Sequence, residues 1–102
     1  AYLQLGYKSK TKRMQPAANL ATVLDLFISC QGLKDKDVMS KSDPQVGVFE
    51  APSMKSNYWN FLGTTERIKD DLNPKFATAL PVNFNFEEMK YLKFKVMDID
   101  SE

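Results

Sequence analysis

Apolar and polar residues alternate most regularly in the last quarter of the chain. Every second position is apolar in two runs, at Leu80, Val82, Phe84 and Phe86 and then at Leu92, Phe94 and Val96. This alternation predicts half-buried strands of an antiparallel sheet, because successive side chains of a strand point to opposite faces. Pro81 within the first run indicates an edge strand or a bulge, since proline lacks the amide hydrogen that an inner strand uses.

Four earlier stretches also predict strands. Residues 21–30 are β-branched and apolar, residues 45–50 form a short apolar run, residues 57–63 are aromatic and alternating, and residues 64–69 continue as a further strand. Residues 51–56 have turn composition, and Asn73-Pro74 predicts another turn because a residue before proline avoids helical geometry. Six strand-like runs without a long helix indicate an all-β, antiparallel β-sandwich.

The first twenty residues have no clean period. Lys8, Lys10, Lys12 and Arg13 lie close together there. One interpretation is a basic arm that touches anionic lipid or nucleic acid, and the other is a solvated or edge-strand segment. We favour the second, since such clusters are common on surfaces. The predicted division is therefore an arm or added strand at 1–20 and one domain at 21–102.

Composition describes an ordinary globular domain. The 102 residues are 43% hydrophobic and 26% charged. The net charge of +1 identifies no partner, so any electrostatic function must come from local clusters, and we expect no nucleic-acid partner. The single cysteine, Cys30, favours the cytoplasm over an oxidising compartment. Histidine, the commonest general base, does not occur. Because Cys30 falls in a predicted strand with no base to activate it, we expect no enzymatic activity.

Acidic residues are concentrated in two inter-strand stretches. Asp37 and Asp43 flank a loop between two predicted strands, and Asp98 and Asp100 follow the last one. Four carboxylates that repel one another are accommodated by a hard cation such as Ca²⁺, which prefers 6–8 oxygen ligands. An EF-hand loop is excluded, because counting from Asp35 places methionine and serine at its fifth and sixth positions between strands rather than helices.

Three segments resemble the C2 domain family, in the family's order. Residues 33–44, which end in Ser42-Asp43-Pro44, resemble its first calcium loop, and residues 65–76 resemble its Thr…Asn-Pro-X-aromatic segment. Residues 93–100 are similar to the strand and Asp-X-Asp opening of the third calcium loop. Within the family, the sequences of these segments are most similar to the first C2 domain of copines. The resemblance implies a C2-type Greek-key sandwich whose last two strands, and a further aspartate, lie beyond this sequence.

The resemblance also implies a function and its residues. Calcium ligands would be Asp37, Asp43, Asp98 and Asp100, with Val38, Met39, Lys36 and Lys41 as membrane contacts. The implied activity is calcium-dependent binding to anionic phospholipid, which would recruit the parent protein from the cytoplasm to the inner face of a membrane when calcium rises. The alternative is a calcium-independent C2 scaffold for protein–protein interaction or assembly.

Two other groups of residues have two interpretations each, and a third has one. Trp59, Phe61, Phe84 and Phe86 could form an aromatic ligand surface, but their alternation favours core packing. Lys55, Arg67, Lys69 and Lys75 could form a second, phosphoinositide-binding patch like that of some C2 domains, although we favour scattered surface positions. Asp70 and Asp71 are expected to form only a solvated turn.

Overall fold

The described part of the chain forms six antiparallel strands in two sheets. The computed structural model describes residues 2–11, 22–33, 43–84 and 88–99. The strands are β1 (Tyr2–Thr11), β2 (Thr22–Gln31), β3 (Pro44–Ala51), β4 (Asn60–Thr64), β5 (Leu80–Phe84) and β6 (Tyr91–Asp98). One sheet has the order β1-β2-β5 and the other β4-β3-β6. The predicted all-β architecture is confirmed, and Pro81 lies on β5 at a sheet edge.

The core lies between the two sheets. Its buried members are Ile28 and Cys30 of β2, Val46 and Val48 of β3, Leu80 of β5, and Phe76. Leu62 and Phe94 pack against this cluster. Burial raises the pKa of the Cys30 thiol, so the side chain remains a neutral, small apolar group.

The first strand was not evident from hydrophobic periodicity. β1 pairs with β2 along its whole length, from Tyr2 opposite Gln31 to Thr11 opposite Thr22. Leu3 packs against the core, whereas Tyr2, Leu5 and Tyr7 are exposed. Main-chain hydrogen bonding rather than side-chain burial therefore holds β1, which explains why its sequence has no period of two.

The predicted strand at 64–69 is wrong. β4 ends at Thr64, and residues 65–68 run beside β3 without regular strand structure. The hydroxyl of Thr65 accepts a hydrogen bond from the Val46 amide at 2.9 Å, a bond that a main-chain carbonyl would accept in a regular ladder. A side-chain acceptor thus replaces the strand partner and lets the chain leave the sheet.

The prediction of core packing is also wrong for two of the four aromatic residues. Phe61 and Phe84 are 55% and 45% exposed, and Trp59 is half-buried. Phe86 lies outside the described residues. Alternation predicted which residues share a face but not whether that face is the inner one, because both faces of a sheet have the same period.

Within the described ranges, no helix is long and apolar enough to cross a bilayer.

Candidate functional site

Two of the predicted calcium ligands lie at one end of the sandwich. β3 begins where β6 ends, with Pro44 opposite Asp98. The Asp43 amide donates a hydrogen bond to Oδ1 of Asp98 at 2.9 Å, and the Ile99 amide donates to the Asp43 carbonyl at 2.9 Å. We call this end of the molecule the rim. Residues 55 positions apart in the chain are therefore neighbours there.

A third acidic residue belongs to the same rim. Asp70 has a positive φ of 53°, and its amide donates a hydrogen bond to Oδ1 of Asp43 at 2.8 Å. The Asp43 residue is buried, with 8% of its surface exposed, so this bond offsets part of the cost of removing its carboxylate from water. The solvated-turn prediction missed this contact. Aspartate tolerates positive φ better than most residues, but that preference does not identify a partner.

Residues 65–76 hold the rim together, and we call them the bridging segment. On the β3 side, the Thr65 amide donates to the Val46 carbonyl at 2.9 Å and the Ile68 amide donates to the Pro44 carbonyl at 3.1 Å. With the bond from Asp70 to Asp43, these contacts fix the start of β3.

The other half of the bridging segment binds the end of β2. The Cys30 amide donates to the Pro74 carbonyl at 2.9 Å, and the Phe76 amide donates to the Ile28 carbonyl at 3.0 Å. Oδ1 of Asn73 accepts from the Gly32 amide at 2.9 Å, where Gly32 has a φ of 70°. The Asn-Pro-X-aromatic motif thus has a local role, since its aromatic residue, Phe76, is buried in the core.

Glu66 stabilises the fold of the bridging segment and the chain just after it. Its carboxylate accepts hydrogen bonds from the amides of Ala77 at 2.6 Å and Thr78 at 3.1 Å. Desolvation raises the pKa of Glu66, but these hydrogen bonds outweigh it, so the pKa lies below its usual value. The charged form of Glu66 is therefore the one that the fold favours.

The remaining predicted site residues fall outside the described part of the chain. These are Asp37 and Asp100 among the ligands, and Lys36, Val38, Met39 and Lys41 among the membrane contacts. Among the residues that the structure does describe, no three acidic, cysteine or histidine side chains are grouped closely enough to hold a metal ion. The four-aspartate ligand set stays a prediction.

The four residues of the possible phosphoinositide patch are all exposed, and three of them lie within the bridging segment. Lys55 is in the turn after β3, at the end of the sandwich away from the rim. Arg67 and Lys69 are in the bridging segment, and Lys75 is opposite Ser29 of β2. Lys55 is therefore separated from the other three along the length of β3.

The donor chemistry at the rim suits a calcium ion. Asp43 and Asp98 supply carboxylate oxygens, which are the hard ligands that Ca²⁺ prefers. Each uses Oδ1 for a main-chain amide, and each has a second carboxylate oxygen. The described residues therefore fit calcium in ligand type.

Comparison with known families agrees with this geometry. The family model described as "C2 domain" matches residues 26–102. The chain belongs to the C2 domain family. In this C2 domain, the rim residues Asp43 and Asp98 lie in the stretches that resembled the family's calcium loops. The bridging segment is the stretch that resembled its Thr…Asn-Pro-X-aromatic segment. No solved structure matches significantly.

Curated relatives add a second likeness. This C2 domain is 39% identical to Copine-A of Dictyostelium discoideum over 77 residues, which cover 76% of this chain and 12% of Copine-A. It is 41% identical to Copine-E over 83 residues, covering 78% and 14%, and 37% identical to Copine-C over 89 residues, covering 87% and 16%, both from the same organism. The chain thus spans less than a fifth of the length of these copines.

Proposed function

We propose that this C2 domain is a calcium-dependent phospholipid-binding module that recruits its parent protein from the cytoplasm to anionic membranes. The observation that carries the proposal is the meeting of Asp43 and Asp98 at one rim, with the amide of one bonded to the carboxylate of the other. The likeness to copines supports the same reading, although it covers only a small part of those proteins.

The mechanism follows from the charge of the rim. Carboxylates repel both one another and anionic phospholipid headgroups. Bound Ca²⁺ would supply positive charge that neutralises the rim and attracts lipid phosphate. Asp43 and Asp98 would hold the ion together with the predicted ligands Asp37 and Asp100. Val38, Met39, Lys36 and Lys41 remain the predicted contacts to the membrane.

The bridging segment makes this arrangement independent of the ion. Its bonds to β2 and β3 hold the base of the rim through main-chain groups. A site whose ligands are already positioned needs little reorganisation when the ion binds, so less of the binding energy is spent on ordering the chain.

The test is co-sedimentation with liposomes containing phosphatidylserine, with calcium or with a chelator. We expect pelleting with calcium only. Asp98→Asn retains an acceptor for the Asp43 amide but removes a charge, and it should raise the calcium concentration for half-maximal pelleting by at least about tenfold. Glu88→Gln removes one carboxylate from an exposed residue that precedes β6, whose first residue lies at the end away from the rim. This control should have no such effect.

Two results would contradict the proposal. One is pelleting that a chelator does not reduce. The other is unchanged calcium-dependent pelleting in the double variant Asp98→Asn/Asp100→Asn.

A second candidate is a calcium-independent scaffold for protein assembly. The specific observation in its favour is that main-chain amides already satisfy one oxygen each of Asp43 and Asp98. A thermal unfolding experiment separates the two candidates, because an ion that binds only the folded state raises the melting temperature. No rise in millimolar calcium would favour the scaffold.

A further inference from the structure

The sheet β4-β3-β6 has an outer face that turns away from the core. Val48 and Phe94 face the core, so the neighbouring residues along β3 and β6 face outward. This outer face consists of Phe49 of β3, Phe61 of β4, Lys93 and Lys95 of β6, and the adjacent Trp59. It carries no known role in the rim mechanism.

The side chains of the outer face contact one another. The rings of Phe49 and Phe61 have centroids 5.3 Å apart and are tilted by 54°. Nζ of Lys93 lies 4.8 Å from the centre of the Trp59 ring and 5.5 Å from that of Phe49. These cation–π contacts hold the stem of Lys93 across the aromatic rings.

A small residue adjoins these rings on β3. Gly47 is two residues from Phe49 on the same face and is buried, since a Cβ built there would be 3.5 Å from both Met97 Cε and Phe49 Cε1 and 3.8 Å from Thr64 Cγ2. Phe61 is 55% exposed although its ring is large and apolar. Clustered exposed aromatic residues beside methionine are typical of binding surfaces rather than of ordinary solvated faces.

The charge of the outer face has one sign. Lys93 and Lys95 are both exposed. The outward positions of β3 and β6 and all five positions of β4 contain no aspartate or glutamate. A partner for this face therefore needs acidic groups as well as apolar ones.

We propose that the outer face binds an extended acidic segment of a partner protein. Lys93 and Lys95 are two residues apart on one strand, a spacing of about 7 Å. Two carboxylates separated by one residue in an extended chain have the same spacing, so both can pair at once. A following aromatic or aliphatic side chain would pack against the exposed ring of Phe61.

The position of this face favours a protein over a membrane. Lys93 is five residues from Asp98, which places it about 17 Å from the rim along β6. If the rim meets the bilayer, as we propose above, the outer face runs alongside the domain rather than against the lipid. The binding itself requires neither calcium nor lipid, so it can be tested separately from the membrane proposal.

The experiment is a titration of the 102-residue chain with a short synthetic peptide, followed by fluorescence. The peptide contains two glutamates one residue apart and a following phenylalanine, and the buffer contains chelator and no lipid. Trp59 is the only tryptophan of the sequence, so its emission reports directly on the outer face. We expect a saturable change in emission with the acidic peptide and none with a peptide in which glutamine replaces both glutamates.

Variants test which residues bind. Lys93→Glu/Lys95→Glu should weaken binding by at least about tenfold. Lys69→Glu/Lys75→Glu makes the same change of charge within the bridging segment and should leave peptide binding within about twofold. Phe61→Ser should also weaken binding, with far-ultraviolet circular dichroism confirming that each variant remains folded.

Three results would overturn the proposal. The first is no saturable response to the acidic peptide. The second is equal weakening by the two lysine pairs, which would mean only general charge attraction. The third is a response to phosphatidylserine vesicles in chelator that depends on Lys93 and Lys95 while the peptide gives none, which would make the face a lipid contact.

Discussion

The rim and the outer face use their polar side chains in opposite ways. At the rim, Asp43 and Asp98 accept hydrogen bonds from main-chain amides at 2.8 and 2.9 Å. On the outer face, Lys93 contacts the rings of Phe49 and Trp59, and Phe61 is more than half exposed. The difference separates two tasks, because rim side chains help to hold the fold whereas outer-face side chains are available to a partner. Substitutions should therefore affect stability strongly at the rim and weakly on the outer face.

The largest stability effect is expected at Asp43. Asp43→Ala removes the acceptor of the Asp70 amide and should lower the free energy of unfolding by about 2 kcal/mol, since hydrogen bonds to charged groups contribute about 1.5–3 kcal/mol. Asp43→Asn retains an acceptor oxygen and should cost less than about 1 kcal/mol. Urea unfolding in chelator, followed by Trp59 fluorescence, measures both. Stabilisation by Asp43→Ala would instead mean that carboxylate repulsion dominates the metal-free rim.

A smaller effect with a pH signature is expected at Glu66. Because its pKa is lower in the folded state, its charge contributes stability above the unfolded-state pKa of about 4.3, and that stability is lost as pH falls through the folded-state pKa. Glu66→Gln should therefore cost about 1 kcal/mol at pH 7 and less at an acidic pH at which the folded-state carboxyl is protonated. Urea unfolding at both pH values tests this. A cost that does not change with pH would show that only the shape of the side chain matters.

The smallest effect should be on the outer face. Phe61→Ser and Lys93→Met should each change the free energy of unfolding by less than about 1 kcal/mol, because exposed aromatic and cation–π contacts contribute little. The same urea experiment applies, with Val46→Ala as the matched core control, which should cost about 1–3 kcal/mol more. A loss of stability from Phe61→Ser as large as that from Val46→Ala would make the outer face structural and remove the contrast with the rim.

Periodicity predicted five of the strands because their side chains are divided between core and solvent. Periodicity did not predict β1 because its exposed tyrosines and lysine give it no apolar face. Its strand structure is determined instead by pairing with β2. The wrong prediction of a strand at 64–69 has the opposite cause. Thr65 and Ile68 have suitable composition, but the Thr65 hydroxyl takes the place of a main-chain partner.

The candidate site was predictable only where acidic residues are concentrated between predicted strands and the family resemblance marks the same positions. Asp43 and Asp98 were singled out from the sequence, and the structure places them together. Asp70 was not, because its part depends on a main-chain amide whose direction follows from a positive φ rather than from residue type. Trp59 and Phe61 were considered as part of an aromatic ligand surface but assigned to core packing, since alternation alone does not tell the inner face of a sheet from the outer one.

The bonds of the bridging segment have a consequence for how positions 34–42 can evolve. It is bonded to Leu33 through the Leu72 carbonyl and to Asp43 through the Asp70 amide, so it fixes both residues that flank positions 34–42. With its two ends secured from outside, that stretch can change sequence or length without altering the spacing of β2 and β3. Residues 34–42 can therefore vary among related proteins while Leu33 and Asp43 keep their positions.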